Sequence, residues 1–276
     1  MNNHTETLSV DEQNKRFWNE LCGTQLAKQL GVVDSSPASL QRFDNWYFDF
    51  YPYLFKHIPF PDMLGKKVLE VGLGYGTVSQ KLASSCDGYR GLDIAEGPVA
   101  MANHRLAQMG LSGEAVQGSV LSAPFPNESF DWVVAIGCFH HTGSIQGALD
   151  ETWRVLKPGG QAIVMVYAAY SYRRWMYTFA PTLRYLIWDK FGIGKAPQTS
   201  DRERKQYDAS GAGEGAPETT FTSASHMRRM TKQWHSVRVT SENIGTEGPF
   251  RNTERHKANR IFGSWLGLDI YCHLVK

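Results

Sequence analysis

Residues 68–77 read VLEVGLGYGT. Val68, Leu69 and Val71 surround a single acid, Glu70, and predict a short buried strand. Gly72, Gly74 and Gly76 then predict a tight turn directly after it. Glycine stands where the chain needs unusual dihedral angles or where another group must lie close against the backbone. Such a loop after a strand points to a nucleoside-containing ligand and goes no further. The dinucleotide fingerprint GxGxxG would place glycine or alanine at position 77, and this chain has Thr77.

Outward from this loop, residues 66–167 alternate between two periodicities. KVLEVG, YRGLDIA, EAVQGSV, FDWVVAIGC and QAIVMVY predict five strands. TVSQKLASSC, GPVAMANHRLAQMG and ALDETWRVL predict helices between them, the last ended by KPGG. Alternating units with apolar strands mean a mostly parallel sheet covered on both faces. Ligands of such sheets bind at the carboxyl ends of the strands, where strand order reverses. Asp93 ends the second strand, and a carboxylate there accepts hydrogen bonds from both hydroxyls of a ribose diol.

The flanks differ. Residues 1–60 predict a helical segment with the aromatic stretch FDNWYFDFYPYLFKHIPF, a helix packed on the core or part of a pocket lid. After Tyr167, residues 171–222 predict an insertion: an aromatic, basic helix interrupted by Pro181, then a long charged loop rich in glycine, proline and alanine. Loops of that length in a compact domain tend to be functional lids or disordered segments, and Asp208, Glu214 and Glu218 in it suit acceptor hydroxyls. The helix also suits a membrane surface, but Asp189, Thr178 and Thr182 weaken that reading. Residues 223–276 predict a helix and two strands that complete a seven-stranded sheet with the core of residues 61–170. RNTERHKANR (251–260) reads as a solvated basic segment.

The 276 residues are 42% hydrophobic and 20% charged with a formal net charge of +2, ordinary for a globular protein. That balance gives no reason to expect nucleic acid. Cys22, Cys86, Cys138 and Cys272 form no CxxC pair, which predicts reduced thiols, no zinc site and a cytoplasmic protein. The N-terminus has no signal-peptide layout and no apolar run is long enough to span a bilayer. No group of histidines has metal-ligand spacing.

The ensemble VLEVGLGYG, GLDIA, GSVLSAPFPNESFDWVVAIGCFHHT and RVLKPGG resembles the class I S-adenosylmethionine-dependent methyltransferases, in particular the small-molecule branch that includes quinone methyltransferases. The resemblance covers roughly residues 65–170. It implies S-adenosyl-L-methionine as cofactor, with Glu70 and Gly72, Gly74 and Gly76 at its methionine part, Asp93 at the ribose, Ile94 flanking the adenine, and Ser119 and Val120 at the adenine edge. The family often has an acid where this chain has Ser119. RVLKPGG is structural, a helix stop and a turn.

Methyl transfer needs an aligned acceptor, exclusion of water and, for a hydroxyl acceptor, a base. His140 and His141 follow the fourth strand, and imidazole accepts a proton near neutral pH. They are the catalytic candidates; the alternative role for one of them is to fix a loop or fill the cofactor pocket. Cys138 reads as packing. The expected reaction is O-methylation of a sugar or secondary metabolite. A lipid or quinone ring is the alternative acceptor, and the competing functions are a nicotinamide-dependent oxidoreductase and a non-catalytic protein that binds S-adenosylmethionine. Oligomeric state is not legible.

Overall fold

The computed structural model describes residues 8–21 and 23–276; the reading of Cys22 as a reduced thiol lies outside them. Among the described residues, Cys86, Cys138 and Cys272 form no disulfide.

Among the described residues four α-helices precede the sheet: α1 (Val10–Trp18), α2 (Thr24–Gln29), α3 (Pro37–Phe50) and α4 (Leu54–His57). Ser9 and Glu12 form a reciprocal capping box that starts α1. Ser36 caps α3, with Pro37 at its first turn, where a missing N–H costs nothing.

The core then alternates as expected: β1 (Lys67–Val71), α5 (Thr77–Ala83), β2 (Gly88–Asp93), α6 (Glu96–Gln108), β3 (Glu114–Gln117), β4 (Phe130–Ile136), α7 (Ile145–Val155) and β5 (Leu156–Tyr167). KPGG does not end α7. The helix stops at Val155, Leu156 is already extended, and residues 157–160 form a bulge within β5, where the register to β4 shifts between Phe130 and Trp132. Pro158 is tolerated there because a bulge interrupts the ladder.

Beyond β5 come α8 (Tyr172–Tyr177), α9 (Phe179–Phe191), α10 (Asp201–Lys205), α11 (Ala224–Met230), β6 (Ser236–Glu242), α12 (Arg255–Leu266) and β7 (Asp269–Val275). The helical stretch 172–191 breaks at Thr178 and not at Pro181. Pro181 lies in the first turn of α9, where a helix accepts proline. The basic segment 251–260 is largely exposed, and α12 begins within it.

The seven strands run β3-β2-β1-β4-β5-β7-β6, with β7 antiparallel to both neighbours. Strand order reverses between β1 and β4. Alternation along the central strands divides the core: Leu69, Val133 and Val164 face one side with α7, and Val68, Val134 and Ile163 face the other. Tyr53, Leu54, Ile58 and Met63 from the N-terminal segment cover that second side. Glu70 shares a side with Val68, under this aromatic cover.

Candidate active site

One cavity of about 510 Å³ opens at the carboxyl ends of β1, β2 and β4, within the usual range for small-molecule sites. All three loop glycines have positive φ: 82° at Gly72, 51° at Gly74 and 72° at Gly76. At Gly72 a side chain would also collide with Cys138, whose Cβ would lie 2.6 Å from the added carbon. The loop therefore presents backbone to the cavity from Val71 to Tyr75.

Asp93 is buried at the wall. Its Oδ2 accepts the Leu73 N–H at 2.8 Å and its Oδ1 the Ala95 N–H at 2.9 Å. These bonds lock the carboxylate between the glycine loop and the start of α6 and leave a lone pair on each oxygen for a diol. Burial nevertheless raises its pKa. Ile94, Ser119 and Val120 line the same end, and the Ser119 Oγ accepts the Leu121 N–H at 3.3 Å. Glu70 accepts from the Tyr89 hydroxyl at 2.5 Å, and burial pushes its carboxyl up to about 8.

The two histidines separate. His140 is sealed behind the wall, its ring 4.0 Å from that of Tyr167, and neither ring nitrogen has a hydrogen-bond partner. His141 lines the cavity. Its Nδ1 lies 2.7 Å from the Glu218 carbonyl, a geometry that makes Nδ1 the protonated nitrogen and leaves the Nε2 lone pair for chemistry. The Nε2 is 3.5 Å from Asp208 Oδ2. Asn14 donates to the His141 carbonyl at 2.7 Å, and the Trp18 ring lies 4.7 Å from the imidazole, so α1 holds this turn in place. Burial raises the pKa of Asp208; His141 and the Tyr167 hydroxyl, 3.1 Å from Oδ1, oppose that shift. Although no sequence spacing suggested metal ligands, donor atoms of His140, His141 and Asp208 gather within 4.8 Å of one another. An ion at about 2.1 Å from each donor would have to draw on His140, which does not face the cavity.

Beyond Asp208 the chamber is walled by rings, Tyr47 and Phe50 of α3 and Tyr51 just after it against Tyr167, Tyr207 and Tyr271. Arg173 closes its far end, bonded through Nε and Nη2 to Glu247 at 2.8 and 2.6 Å. Asp269 lies there too, its carboxyl pushed up to about 7 by burial and accepting from Asn243 at 2.9 Å.

Sequence reasoning noted Asp208 only as one of three loop acids and missed Arg173 and Asp269 as site residues. An acid opening the apolar run DIYCHLV was the available signal for Asp269. Nothing local marked Arg173.

The comparisons with known proteins agree with this geometry. A family model described as a Methyltransferase domain matches residues 69–164, from β1 into β5. Residues 69–164 are thus similar to methyltransferase domains that use S-adenosylmethionine. A demethylmenaquinone methyltransferase of Tropheryma whipplei is 31% identical over 130 residues, 45% of this chain and 53% of that protein. The sterol 24-C-methyltransferase erg-4 of Neurospora crassa is 38% identical over 97 residues, 34% and 26% of the two chains. The chain thus spans between a quarter and about half of the length of those curated relatives. A SAM-dependent methyltransferase structure from Methanosarcina mazei shares the fold with a TM-score of 0.54 at 18% identity, covering 82% of this chain and 97% of that one.

The residues present fit S-adenosylmethionine, the cofactor that the matched methyltransferase domain implies. A buried acid with open lone pairs, an exposed glycine backbone and an apolar wall at Ile94 and Val120 suit a ribose diol, a polar amino-acid end and a flat ring respectively.

Proposed function

We propose that this protein transfers the methyl group of S-adenosylmethionine to a hydroxyl of a small ring-shaped acceptor. The observation that carries the reading is that one cavity joins the glycine loop and Asp93 to the His141–Asp208 pair. Bound S-adenosylmethionine would supply an electrophilic methyl group on a sulfonium. Gly72, Gly74 and Gly76 would give it backbone contact, with Glu70 beside its methionine part. Asp93 would hold the ribose, and Ile94, Ser119 and Val120 the adenine. His141 Nε2 would take the acceptor's hydroxyl proton as the oxygen–carbon bond forms and the carbon–sulfur bond breaks. Asp208 would stabilise the resulting imidazolium, the established way for a carboxylate to assist a histidine base. The chamber rings would exclude water and stack on the acceptor. His140 would serve packing.

A sugar or secondary metabolite suits the hydroxyl chemistry and the acids at Asp208 and Asp269. A quinone or lipid ring is favoured by a different observation, the six-ring wall, and by relatives named for demethylmenaquinone and sterol substrates.

Methyl-labelled S-adenosylmethionine, incubated with the protein and a cell extract, tests both readings. Label in the polar small-molecule fraction supports the first and label in the organic-soluble fraction the second. In either case Asp93→Ala should abolish it. Tight binding of S-adenosylhomocysteine with no label in any fraction would favour a non-catalytic binding protein.

A further inference from the structure

Two helices leave apolar side chains in solvent. On α9, Phe179, Leu183, Ile187 and Phe191 recur every fourth residue, and all are exposed, Phe191 to 72%. On α12, Ile261, Phe262 and Trp265 are exposed, Trp265 to 83%. Runs of this kind on a folded protein mark an interaction surface.

The polar residues that argue against a membrane-facing α9 turn inward. Thr178, Thr182 and Asp189 are buried. Asp189 accepts from Tyr170 at 2.7 Å and Ser223 at 2.8 Å and pairs with Arg229. What remains outside is apolar and basic. Arg184, Lys190 and Lys195 are the exposed charged residues of 176–195. Over 251–266, Arg251, Lys257 and Arg260 are exposed against one exposed acid, Glu254.

α8, which leads into α9, and α12 meet at one turn. Met176 and Tyr177 of α8 press against Gly248, where an added Cβ would lie 2.9 Å from Met176 Cε. On the other side of that turn the Phe262 ring lies 5.5 Å from Phe250. The preceding residues, Thr246 and Glu247, line the cavity.

We propose that this face, α9 with α12, docks on the surface of an anionic lipid bilayer. The charge complementarity commits it to that occupant: six exposed cations against one acid accompany the apolar side chains, the composition of a helix lying in the headgroup plane. No helix among the described residues is long and apolar enough to cross a membrane, so the association is peripheral. The proposal does not depend on the methyl acceptor.

Co-sedimentation of the full chain with mixed phosphatidylcholine–phosphatidylglycerol vesicles tests it, with pure phosphatidylcholine as comparison. The protein should bind the mixed vesicles, at least about tenfold more weakly without the anionic lipid or at high salt. Phe191→Ser with Trp265→Ser, and separately Lys257→Glu with Arg260→Glu, should each reduce binding about tenfold or more. On the wild-type chain, bromine-labelled acyl chains should quench fluorescence that Trp265→Phe removes, a readout independent of how the double variants fold. Failure to bind anionic vesicles would overturn the proposal. So would binding that Phe191→Ser with Trp265→Ser leaves unchanged, or a lipid-free dimer that this pair converts to monomer, since the face would then join two copies.

Discussion

Nε2 of His141 and Oδ2 of Asp208 lie 3.5 Å apart, brought together from the turn after β4 and the segment after α10. The Glu218 carbonyl fixes the imidazole from behind, and Tyr167 holds the other carboxylate oxygen. If this pair removes a proton, His141→Ala should lower kcat by about 10²–10⁴, with a smaller loss in Asp208→Asn. Calorimetric affinity for S-adenosylhomocysteine should change little in either. Full turnover in both variants would exclude the base.

Asp93 makes a separable prediction. Its oxygens already satisfy two backbone N–H groups, so Asp93→Asn both removes the charge that would bind a diol and sets an amide NH₂ against one of those donors. A hydrogen bond to a charged group is worth roughly 1.5–3 kcal/mol. Affinity for S-adenosylhomocysteine should therefore fall by about tenfold to a hundredfold. Unchanged affinity by calorimetry would remove Asp93 from the cofactor site.

Glu70 should make stability pH-dependent in an unusual direction. Burial raises its folded pKa from 4.5 to about 8, so between those values the folded state holds a proton that the unfolded chain releases. Stability then falls as pH rises through that window, by something on the order of 3–5 kcal/mol from this group. Glu70→Gln removes the titration and keeps the shape. Urea unfolding at pH 5 and pH 8 should show the variant gaining on the wild type at the higher pH. Parallel behaviour at both pH values would mean that Glu70 is ionised in the folded protein.

The sheet was legible because strand and helix periodicities alternate from Lys67 to Tyr167 and each unit is local. The glycine loop was legible for the same reason: Gly72, Gly74 and Gly76 carry their conformational requirement in their own identity. The acceptor end was not. Asp208 meets His141 only through the path of the chain from α8 to α11, and no local pattern encodes that approach. His140 and His141 are adjacent in sequence yet face different environments, because the short turn at Phe139–His141 directs one ring behind Tyr167 and the other into the cavity. KPGG misled because proline and glycine serve a bulge as well as a turn.

The tie between the N-terminal helices and the glycine loop gives the last prediction. Asp44 of α3 accepts from Arg105 Nη1 at 2.8 Å and from Thr77 Oγ1 at 2.7 Å. Arg105 is fully buried, and a Cβ on Gly76 would lie 2.8 Å from its Cδ. One carboxylate thus joins α3, the first residue of α5 and the core face of α6. Asp44→Ala would strand a buried guanidinium, a loss expected to cost about 3–5 kcal/mol. Adding Arg105→Met should recover part of that loss, because an apolar side chain there needs no partner, so the two changes should be strongly non-additive. Thr77 opens the helix that follows the loop, so Asp44→Ala should also weaken S-adenosylhomocysteine binding under conditions where the variant is fully folded. Urea unfolding of the two single variants and the double measures the coupling. Additive losses, or a loss below about 1 kcal/mol for Asp44→Ala, would mean that the pair is solvated and that the N-terminal helices are held by their aromatic packing alone.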